Sequence, residues 1–234
     1  KTGDYKPSEL RKTILEAKNI FEKKGQKFSI RLLPSHMNGI IEAAFPGELN
    51  FYEDRANHDY VYLTKDLIRL AGRQYHSKRN HLNYFKGHYN YKYVPLTSSM
   101  AEEAMSFIKE FNLRKQLPEY EMGLLRMEEV AMEDVFQNFG EIGYLSGALI
   151  IDGRIQALSI GGLLGKKTVV VHVEKANTEY RGAYQAINNE FCRHMPPNIK
   201  YINREEDMDL MNLREAKLSY RPVKFIEKYI VVIL

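Results

Sequence analysis

The sequence predicts a mixed α/β fold, in which helices flank a mixed sheet, from three features of its last third. Residues 143–164 contain two β-rich runs joined by Asp152-Gly153, a dipeptide that tolerates the positive φ of a tight hairpin turn. Residues 168–173 are an apolar, β-branched run typical of a central strand. Residues 178–187 then have the composition of a helix start, and a short polar helix follows.

Helices and strands also alternate in the earlier part of the chain. Apolar periodicity predicts helices over residues 8–24, 35–41, 65–71, 73–86, 98–111 and 119–139. Short β-rich runs predict strands over residues 28–33, 49–52, 60–63 and 91–96, with a later one over 199–202. Thr64 is the expected N-cap of the helix that follows it. Gly25, Gly72 and Gly140 are expected to end helices.

The polar connection at residues 112–118 ends in a proline and is therefore the expected domain boundary. The predicted domains are residues 1–115 and 116–234. Their sequences do not align as a repeat, but their similar alternation of elements suggests two copies of one fold, paired along a sheet with a groove between them. The chain starts at Lys1 without a methionine, so an N-terminal piece of the natural protein is expected to be missing.

Composition excludes several classes of protein. The chain has 234 residues, of which 44% are hydrophobic and 27% charged, as in ordinary soluble globular proteins. Cys192 is its only cysteine, which excludes an intramolecular disulfide and predicts a reducing, cytoplasmic location. Cys192 follows Phe191 late in a predicted helix, so it is expected to pack rather than to act as a nucleophile. No apolar run approaches the roughly 20 residues of a transmembrane helix. No phosphate-binding loop, dinucleotide fingerprint or metal cluster is present, so we expect no metal and no permanently bound cofactor.

The charge is distributed unevenly. Residues 67–101 contain no acidic residue, although six cations and six aromatic residues lie there. The cations are Arg69, Arg73, Lys78, Arg79, Lys86 and Lys92, and the aromatic residues are Tyr75, Tyr84, Phe85, Tyr89, Tyr91 and Tyr93. We call this segment the acid-free strip. It suits a phosphate-bearing partner, because cations bind phosphates and aromatic faces stack on bases.

Four residues of the acid-free strip are predicted to line the groove between the domains, namely Lys78, Arg79, Asn80 and Asn83. The alternative is a helix with an apolar core face and a solvated cationic face, because Lys78, Leu82 and Phe85 follow helical spacing. The histidines of the strip lack nearby carboxylate or cysteine partners, so a metal site is not expected there.

The central strand supplies the first catalytic candidate. Period-two alternation is expected to place Val170, His172 and Glu174 on one face. Glu174 is a candidate general base for an incoming amine, and His172 a candidate for orienting it. The alternative is a solvated Glu174 and a structural His172. At the following helix start, Arg181 and the backbone near Gly182 are candidates for binding an anion.

A second set of candidates follows the strand at 199–202. Asn203 begins the polar segment at its exit, and Glu205 is predicted to meet Lys217 of the next helix in one cleft. Lys217 is a candidate for binding a phosphate or for polarising an ester carbonyl as its oxyanion forms. Tyr220 either protonates a leaving hydroxyl or packs in the core. The structural alternative for this group is an ion pair that closes the end of the sheet.

The order of elements resembles the GNAT-type acyltransferase fold, in which the helix after the central strand binds the acyl donor. Residues 179–186 are similar to a degenerate form of its acyl-CoA motif, Q/R-x-x-G-x-G/A. Glu179 stands where that motif has a cation or glutamine. Tyr184 stands where a small residue admits the pyrophosphate. This resemblance implies tandem GNAT-like domains.

The C-terminal segment carries a second resemblance. Residues 203–207 (NREED), 212–217 (NLREAK), 220–223 (YRPV) and Tyr229 resemble an uncharacterised bacterial family related to the C-terminal domain of phosphatidylglycerol lysyltransferases. Those enzymes resemble the Fem-type peptidyltransferases, which carry two GNAT-like domains and take an aminoacyl group from aminoacyl-tRNA. The resemblance extends over most of the chain.

The resemblance implies an aminoacyltransferase that takes its group from aminoacyl-tRNA and passes it to an amine or hydroxyl of a peptide, a lipid head group or a small amine. This reading gives the acid-free strip a role in holding tRNA. One alternative is an acyl-CoA-dependent N-acetyltransferase. Another is a non-catalytic module that binds RNA or another ligand on a decayed transferase fold.

Overall fold

A computed structural model describes residues 6–115, 118–139 and 143–234. Its α-helices are α1 (Pro7–Lys23), α2 (Asn38–Ala44), α3 (Thr64–Arg69), α4 (His76–His88), α5 (Ala101–Leu113), α6 (Glu119–Gln137), α7 (Ala183–Arg193) and α8 (Met211–Leu218). Its strands are β1 (Ile30–Pro34), β2 (Leu49–Glu53), β3 (Asp59–Leu63), β4 (Tyr91–Val94), β5 (Leu145–Ile151), β6 (Arg154–Leu164), β7 (Thr168–Ala176), β8 (Tyr201–Asn203), β9 (Lys224–Ile226) and β10 (Lys228–Ile233). Short 3₁₀ turns precede α2, β3, α4 and α5.

The contacts divide the chain into two compact units that are not contiguous in sequence. Unit 1 contains the described residues up to Tyr60 together with Glu205–Lys217 and Lys224–Leu234. Unit 2 contains the described residues of Val61–Arg204 together with Leu218–Val223. The boundary predicted at 115/116 lies within the second unit, between α5 and α6. The assignment of tandem domains to residues 1–115 and 116–234 stays a prediction.

Unit 1 is built on a three-stranded antiparallel sheet in the order β1-β10-β2. Helices α1 and α2 pack together and contribute to its core, because each buries one apolar stripe. The buried core residues are Ile14, Leu33, Ile41, Ala44, Phe45 and Val231. Arg11 of α1 binds the Glu48 carboxylate through two hydrogen bonds of 2.8 and 2.9 Å, which ties α1 to the start of β2.

Unit 2 contains a mixed sheet whose strands follow the order β4-β5-β6-β7-β8-β3. All neighbouring pairs are antiparallel except β7 and β8, which are parallel. Helices α5 and α6 cover the sheet through an apolar core that includes Leu158, Ile160 and Val173. Helix α7 also packs on the sheet and contacts α3 and α4. This arrangement confirms the predicted mixed α/β class.

The hairpin prediction is confirmed. β5 and β6 pair antiparallel, with one irregularity between Leu149 and Ile150, and are joined by Asp152 and Gly153, which adopt φ values of 50° and 75°. Positive φ at both central residues is what a two-residue hairpin turn requires. The hairpin therefore follows from local sequence alone.

The prediction of strict alternation along β7 is wrong beyond Val171. Val173 lies opposite Ile160 and Val171 lies opposite Gly161, so His172 is an extra residue, a β-bulge. A bulge shifts the phase of the side chains that follow it. Val170 lies opposite Gly162 and Glu174 opposite Ser159, three residues away on β6, so Glu174 lies on the other face from Val170 rather than with it as predicted.

Two predicted helix starts are also corrected. Thr64 is the first residue of α3 rather than its N-cap, because Leu63 occupies the cap position with extended backbone. Helix α7 begins at Ala183 rather than near Thr178, because Gly182 precedes it with a φ of 90°, outside the helical region. The predicted helix end at Gly140 lies outside the described residues. Within the described ranges, no helix is both long and apolar enough to cross a membrane.

Candidate functional site

The candidate site of unit 2 lies where strands β7 and β8 separate. The two strands pair only over three residues, ending with Val170 opposite Asn203. β7 continues to Ala176, whereas the chain leaves β8 at Arg204. The Arg204 guanidinium crosses this opening and donates to the Glu174 carboxylate at 2.7 Å. A buried ion pair therefore occupies the gap between the strands.

Aromatic rings surround this ion pair. The Arg204 guanidinium lies 5.0 Å from the centre of the Tyr220 ring and 5.9 Å from that of Tyr62. Burial acts to lower the pKa of Arg204, but the Glu174 carboxylate, together with the smaller effects of Tyr62 and Tyr220, outweighs burial and raises it. Burial raises the pKa of the Tyr220 phenol, so Tyr220 keeps its proton at neutral pH. Arg204 therefore keeps its positive charge beside the Glu174 carboxylate.

Helix α7 adds an amide to the site. Asn188 donates from Nδ2 to the second Glu174 oxygen at 3.0 Å. The Oδ1 of Asn188 is buried and accepts no hydrogen bond from the described residues. Ser159, which lies opposite Glu174 on β6, has a buried hydroxyl that also forms no hydrogen bond with the described residues. Sequence reasoning missed Asn188. Its spacing from Tyr184 could have identified Asn188, because residues four apart in a helix lie on the same face.

A cavity of about 710 Å³ opens beside this site. Its walls come from α5, the start of β6, the 177–180 turn and Tyr184. Four aromatic residues line it, namely Phe107, Phe111, Tyr180 and Tyr184. Three cations line it, namely Arg114, Lys115 and Arg154, and so do three carboxylates, namely Glu103, Glu110 and Glu179. Burial, and secondly the charge of Lys175, lower the pKa of Lys115.

Tyr184 joins the cavity to the ion pair. It lines the cavity, and its phenol lies close enough to the Glu174 carboxylate to sense its charge. Burial, with this negative charge as a second cause, raises the pKa of Tyr184 to about 12, although a hydrogen bond with the Ala176 backbone acts in the opposite direction. Tyr184 therefore carries its proton at neutral pH.

The candidates in the acid-free strip have different environments. Lys78 is half-buried, with its ammonium 4.6 Å from the centre of the Tyr220 ring. Burial, and secondly the charge of Arg204, lower its pKa. Arg79 donates to the carbonyl oxygens of Leu70 and Gly72, so it caps the end of α3. Asn80 and Asn83 are exposed on α4.

The structure also locates the remaining candidates of β7, β8 and α7. His172 is exposed at the bulge, and Asn203 is buried at the end of β8. The exposed Arg181 places its guanidinium 4.5 Å from the centre of the Tyr84 ring. A Cβ at Gly182 would overlap the His81 carbonyl oxygen. The backbone of α4 therefore occupies the close-approach position that was expected to admit a ligand.

Glu205 and Lys217 belong to unit 1. Lys217 is buried and donates to the main-chain carbonyl of Glu206, with its ammonium 5.8 Å from the centre of the Tyr60 ring. Glu205 has a φ of 55°, and its carbonyl accepts a hydrogen bond from the Tyr60 N–H. The catalytic roles of both residues stay predictions. Glu174, Tyr220 and Lys78, by contrast, surround one Arg204 side chain in unit 2.

A buried carboxylate lies near Lys217 in the same unit. Asp207 accepts hydrogen bonds from Arg214, Arg55 and the Tyr60 hydroxyl. Burial acts to raise the pKa of Asp207, but the hydrogen bonds from Arg214 and Tyr60 outweigh it and hold the pKa well below its usual range. Among the described residues, no group of three or more acidic, histidine or cysteine side chains is arranged to hold a metal ion.

Several proteins of known structure share this architecture. A conserved protein of unknown function from Bacteroides thetaiotaomicron is 36% identical, with a TM-score of 0.85 over 96% of this chain and 76% of that one. L-PGS from Bacillus licheniformis is 13% identical, with a TM-score of 0.64 over 94% of this chain and 71% of that one, a similarity of fold. The predicted mixed α/β fold class is confirmed, and FemX shares this fold, at 9% identity and a TM-score of 0.53 over 97% of this chain and 77% of that one.

Sequence comparison agrees. An uncharacterised protein of Mycoplasmoides gallisepticum is 24% identical over 183 residues, and the match spans 75% of this chain but only 56% of the curated relative. The family model of the phosphatidylglycerol lysyltransferase C-terminal region matches residues 8–232. The chain therefore belongs to the family of the phosphatidylglycerol lysyltransferase C-terminal domain.

Proposed function

We propose that this protein is an acyltransferase that moves an aminoacyl group from aminoacyl-tRNA to an amine or hydroxyl acceptor. The observation that carries the proposal is the cavity beside β7, whose wall includes the protonated phenol of Tyr184 next to the Glu174 carboxylate. A pocket that contains a proton donor beside a carboxylate suits acyl transfer, because this reaction moves protons at both nucleophile and leaving group. Family membership supports the same class of reaction.

In the proposed reaction, the acceptor nitrogen or oxygen attacks the ester carbonyl and forms the new bond. The bond between that carbonyl carbon and the ribose oxygen then breaks. The acceptor loses one proton, and the ribose oxygen gains one. Tyr184 donates its proton to the departing oxygen and regains one from the acceptor, so no net proton is consumed.

The neighbours of Tyr184 have supporting roles in this scheme. Glu174, which Arg204 and Asn188 hold in place, orients the phenol and stabilises the proton in transit. This assignment keeps the predicted contribution of Glu174 to proton transfer but routes it through Tyr184. The roles predicted for Glu205, Lys217 and Tyr220 stay predictions.

Two features favour an RNA donor over acyl-CoA. Tyr184 stands where a small residue admits the pyrophosphate in the acyl-CoA motif, and α4 packs directly against Gly182. The acid-free strip meanwhile exposes Arg69, Arg73 and Lys92, which suits a phosphate backbone.

The test is a transfer assay with three donors at fixed salt: aminoacylated tRNA with a labelled amino acid, the same tRNA uncharged, and acetyl-CoA. Acceptors are anionic lipid vesicles, peptides and small amines. We expect label to move only from charged tRNA. Tyr184→Phe should lower kcat by about 100-fold, the scale of one lost proton transfer. Tyr144→Phe, at a half-buried tyrosine packed against the α5–α6 core, is the matched control.

Each other outcome has a definite meaning. Consumption of acetyl-CoA with release of free thiol, and no transfer from tRNA, would replace the proposed donor by acyl-CoA. Binding of tRNA without transfer from any donor would favour the non-catalytic module. Equal rates for wild type and Tyr184→Phe would exclude the proposed proton donor.

A further inference from the structure

Three planar side chains stack on the surface of unit 2. The rings of Tyr84 and His88 are parallel to within 12°, with centroids 3.8 Å apart. The Arg181 guanidinium carbon lies 4.5 Å from the centre of the same Tyr84 ring. Two planar groups at these distances cannot share one ring face, so Arg181 and His88 lie on opposite faces of Tyr84. The result is a three-layer stack, which we call the α4 platform.

The α4 platform is held in place by its own contacts. Tyr84 and His88 are four residues apart on α4, and Nδ1 of His88 lies 2.8 Å from the Tyr84 carbonyl oxygen. Tyr89 meets the edge of Tyr84, and Tyr180, which directly precedes Arg181, meets Tyr89 at 5.1 Å. The ring planes are therefore fixed before any ligand arrives, which lowers the entropic cost of binding.

Both ends of the stack face solvent. His88 and Arg181 are exposed, whereas Tyr84 between them is half-buried. The exposed outer sides of His88 and Arg181 are therefore accessible to a further planar group. Tyr84 and His88 also belong to the acid-free strip, where the cations attract phosphates, and Arg181 adds a further cation beside them.

We propose that the α4 platform stacks an unpaired nucleobase of the donor RNA, on the outer face of His88 or of Arg181. This inference rests on the proposed function and names the surface that would hold the single-stranded acceptor end of the tRNA. Base stacking on aromatic and guanidinium planes is tolerant of sequence, because every base has a π-face. Exposed cations of the strip, including Arg73 and Lys92, would bind the adjoining phosphates.

The experiment compares the binding of two RNAs at one salt concentration: intact tRNA, and the same tRNA without its unpaired 3′ nucleotides. His88→Ala and Arg181→Lys each remove one planar layer, and the lysine keeps the charge. His88→Trp restores a stacking surface. His36→Ala, at an exposed histidine of unit 1, is the matched control. Thermal unfolding of each variant verifies that these exposed substitutions leave the fold intact.

At least one of His88→Ala and Arg181→Lys should weaken binding of intact tRNA by about 5- to 100-fold, the range for one lost base stack. His88→Trp and His36→Ala should bind as wild type. The shortened tRNA should bind equally to all variants. Equal losses with both RNAs, or no loss with either, would overturn the proposal.

The results also separate this inference from the proposed function. If His88→Ala and Arg181→Lys both transfer from charged tRNA at the wild-type rate, the role of the α4 platform is refuted and the proposed function still stands. If the wild type binds tRNA more tightly than these variants but transfers no aminoacyl group, the α4 platform is supported and the proposed enzymatic function is refuted. No RNA binding by the wild type would remove both.

Discussion

Glu174 is expected to be as important for the stability of unit 2 as for its chemistry. Its side chain is 8% exposed, and that of its partner Arg204 is 14% exposed. Removing one member of a buried ion pair costs about 3–5 kcal/mol, because the other charge stays buried without compensation. Glu174→Ala should therefore lower the melting temperature by about 6–20 °C, at roughly 2–4 °C per kcal/mol for a chain of this size.

Glu174→Gln separates charge from shape. The introduced amide keeps an oxygen for Arg204, and the Asn188 amide can rotate so that its Oδ1 accepts from the new N–H. We expect a smaller loss, about 1.5–3 kcal/mol, because one charge-assisted hydrogen bond becomes a weaker one. The assay is equilibrium unfolding in denaturant, measured alongside transfer activity.

A double-mutant cycle with Arg204→Met tests the reasoning. If the two side chains stabilise the fold mainly through each other, Glu174→Gln and Arg204→Met together should cost less than the sum of the single changes. The difference should be about 0.5–3 kcal/mol, the usual range for residues in contact. Strictly additive losses would refute the ion pair as the source of stability.

Three further predictions concern other parts of the fold. The pKa of Asp207 is lowered in the folded state, so its contribution to the stability of the fold is present above about pH 4 and is lost on further acidification. Asp207→Asn should therefore lower the free energy of unfolding at neutral pH and make it less dependent on pH in the acid range, as measured by denaturant titrations. Gly182→Ala should destabilise by about 1–3 kcal/mol through positive φ and overlap with α4, whereas Gly143→Ala meets nothing within 4 Å and should not. Burial raises the pKa of the Cys192 thiol, so disulfide reagents should label it only on unfolding; immediate labelling of native protein would contradict its burial.

Local chemistry explains which elements could be predicted. The Asp152-Gly153 turn and the apolar stripe of α1 depend on residues close together in sequence. The start of α7 and the bulge at His172 depend instead on residues that are distant in sequence. At Gly182 the backbone of α4 lies so close that a side chain would not fit, and this contact is not visible in the local sequence. The extra residue in β7 cannot be recognised either, because a β-rich run looks the same with or without a bulge. Tertiary packing decides both.

The candidate site shows the same division. Glu174 was identifiable as a carboxylate near the end of a central strand. The pairing of Glu174 with Arg204 is not predictable from the sequence, because it depends on β7 and β8 parting after Val170. Hydrophobic patterning locates strands, but it carries no information about where two parallel strands separate. Asn188 was missed for the same reason.

The order of strands in unit 1 has a consequence for synthesis on the ribosome. β10 lies between β1 and β2, with Ile30 opposite Val231 and Phe51 opposite the same residue on the other side. Nearly the whole chain must therefore be translated before this sheet can close. Until then β1 and β2 lack their shared partner and present open edges, which can pair with other chains. Such distant pairing slows folding, so a nascent chain of this protein should benefit from chaperones until β10 leaves the exit tunnel.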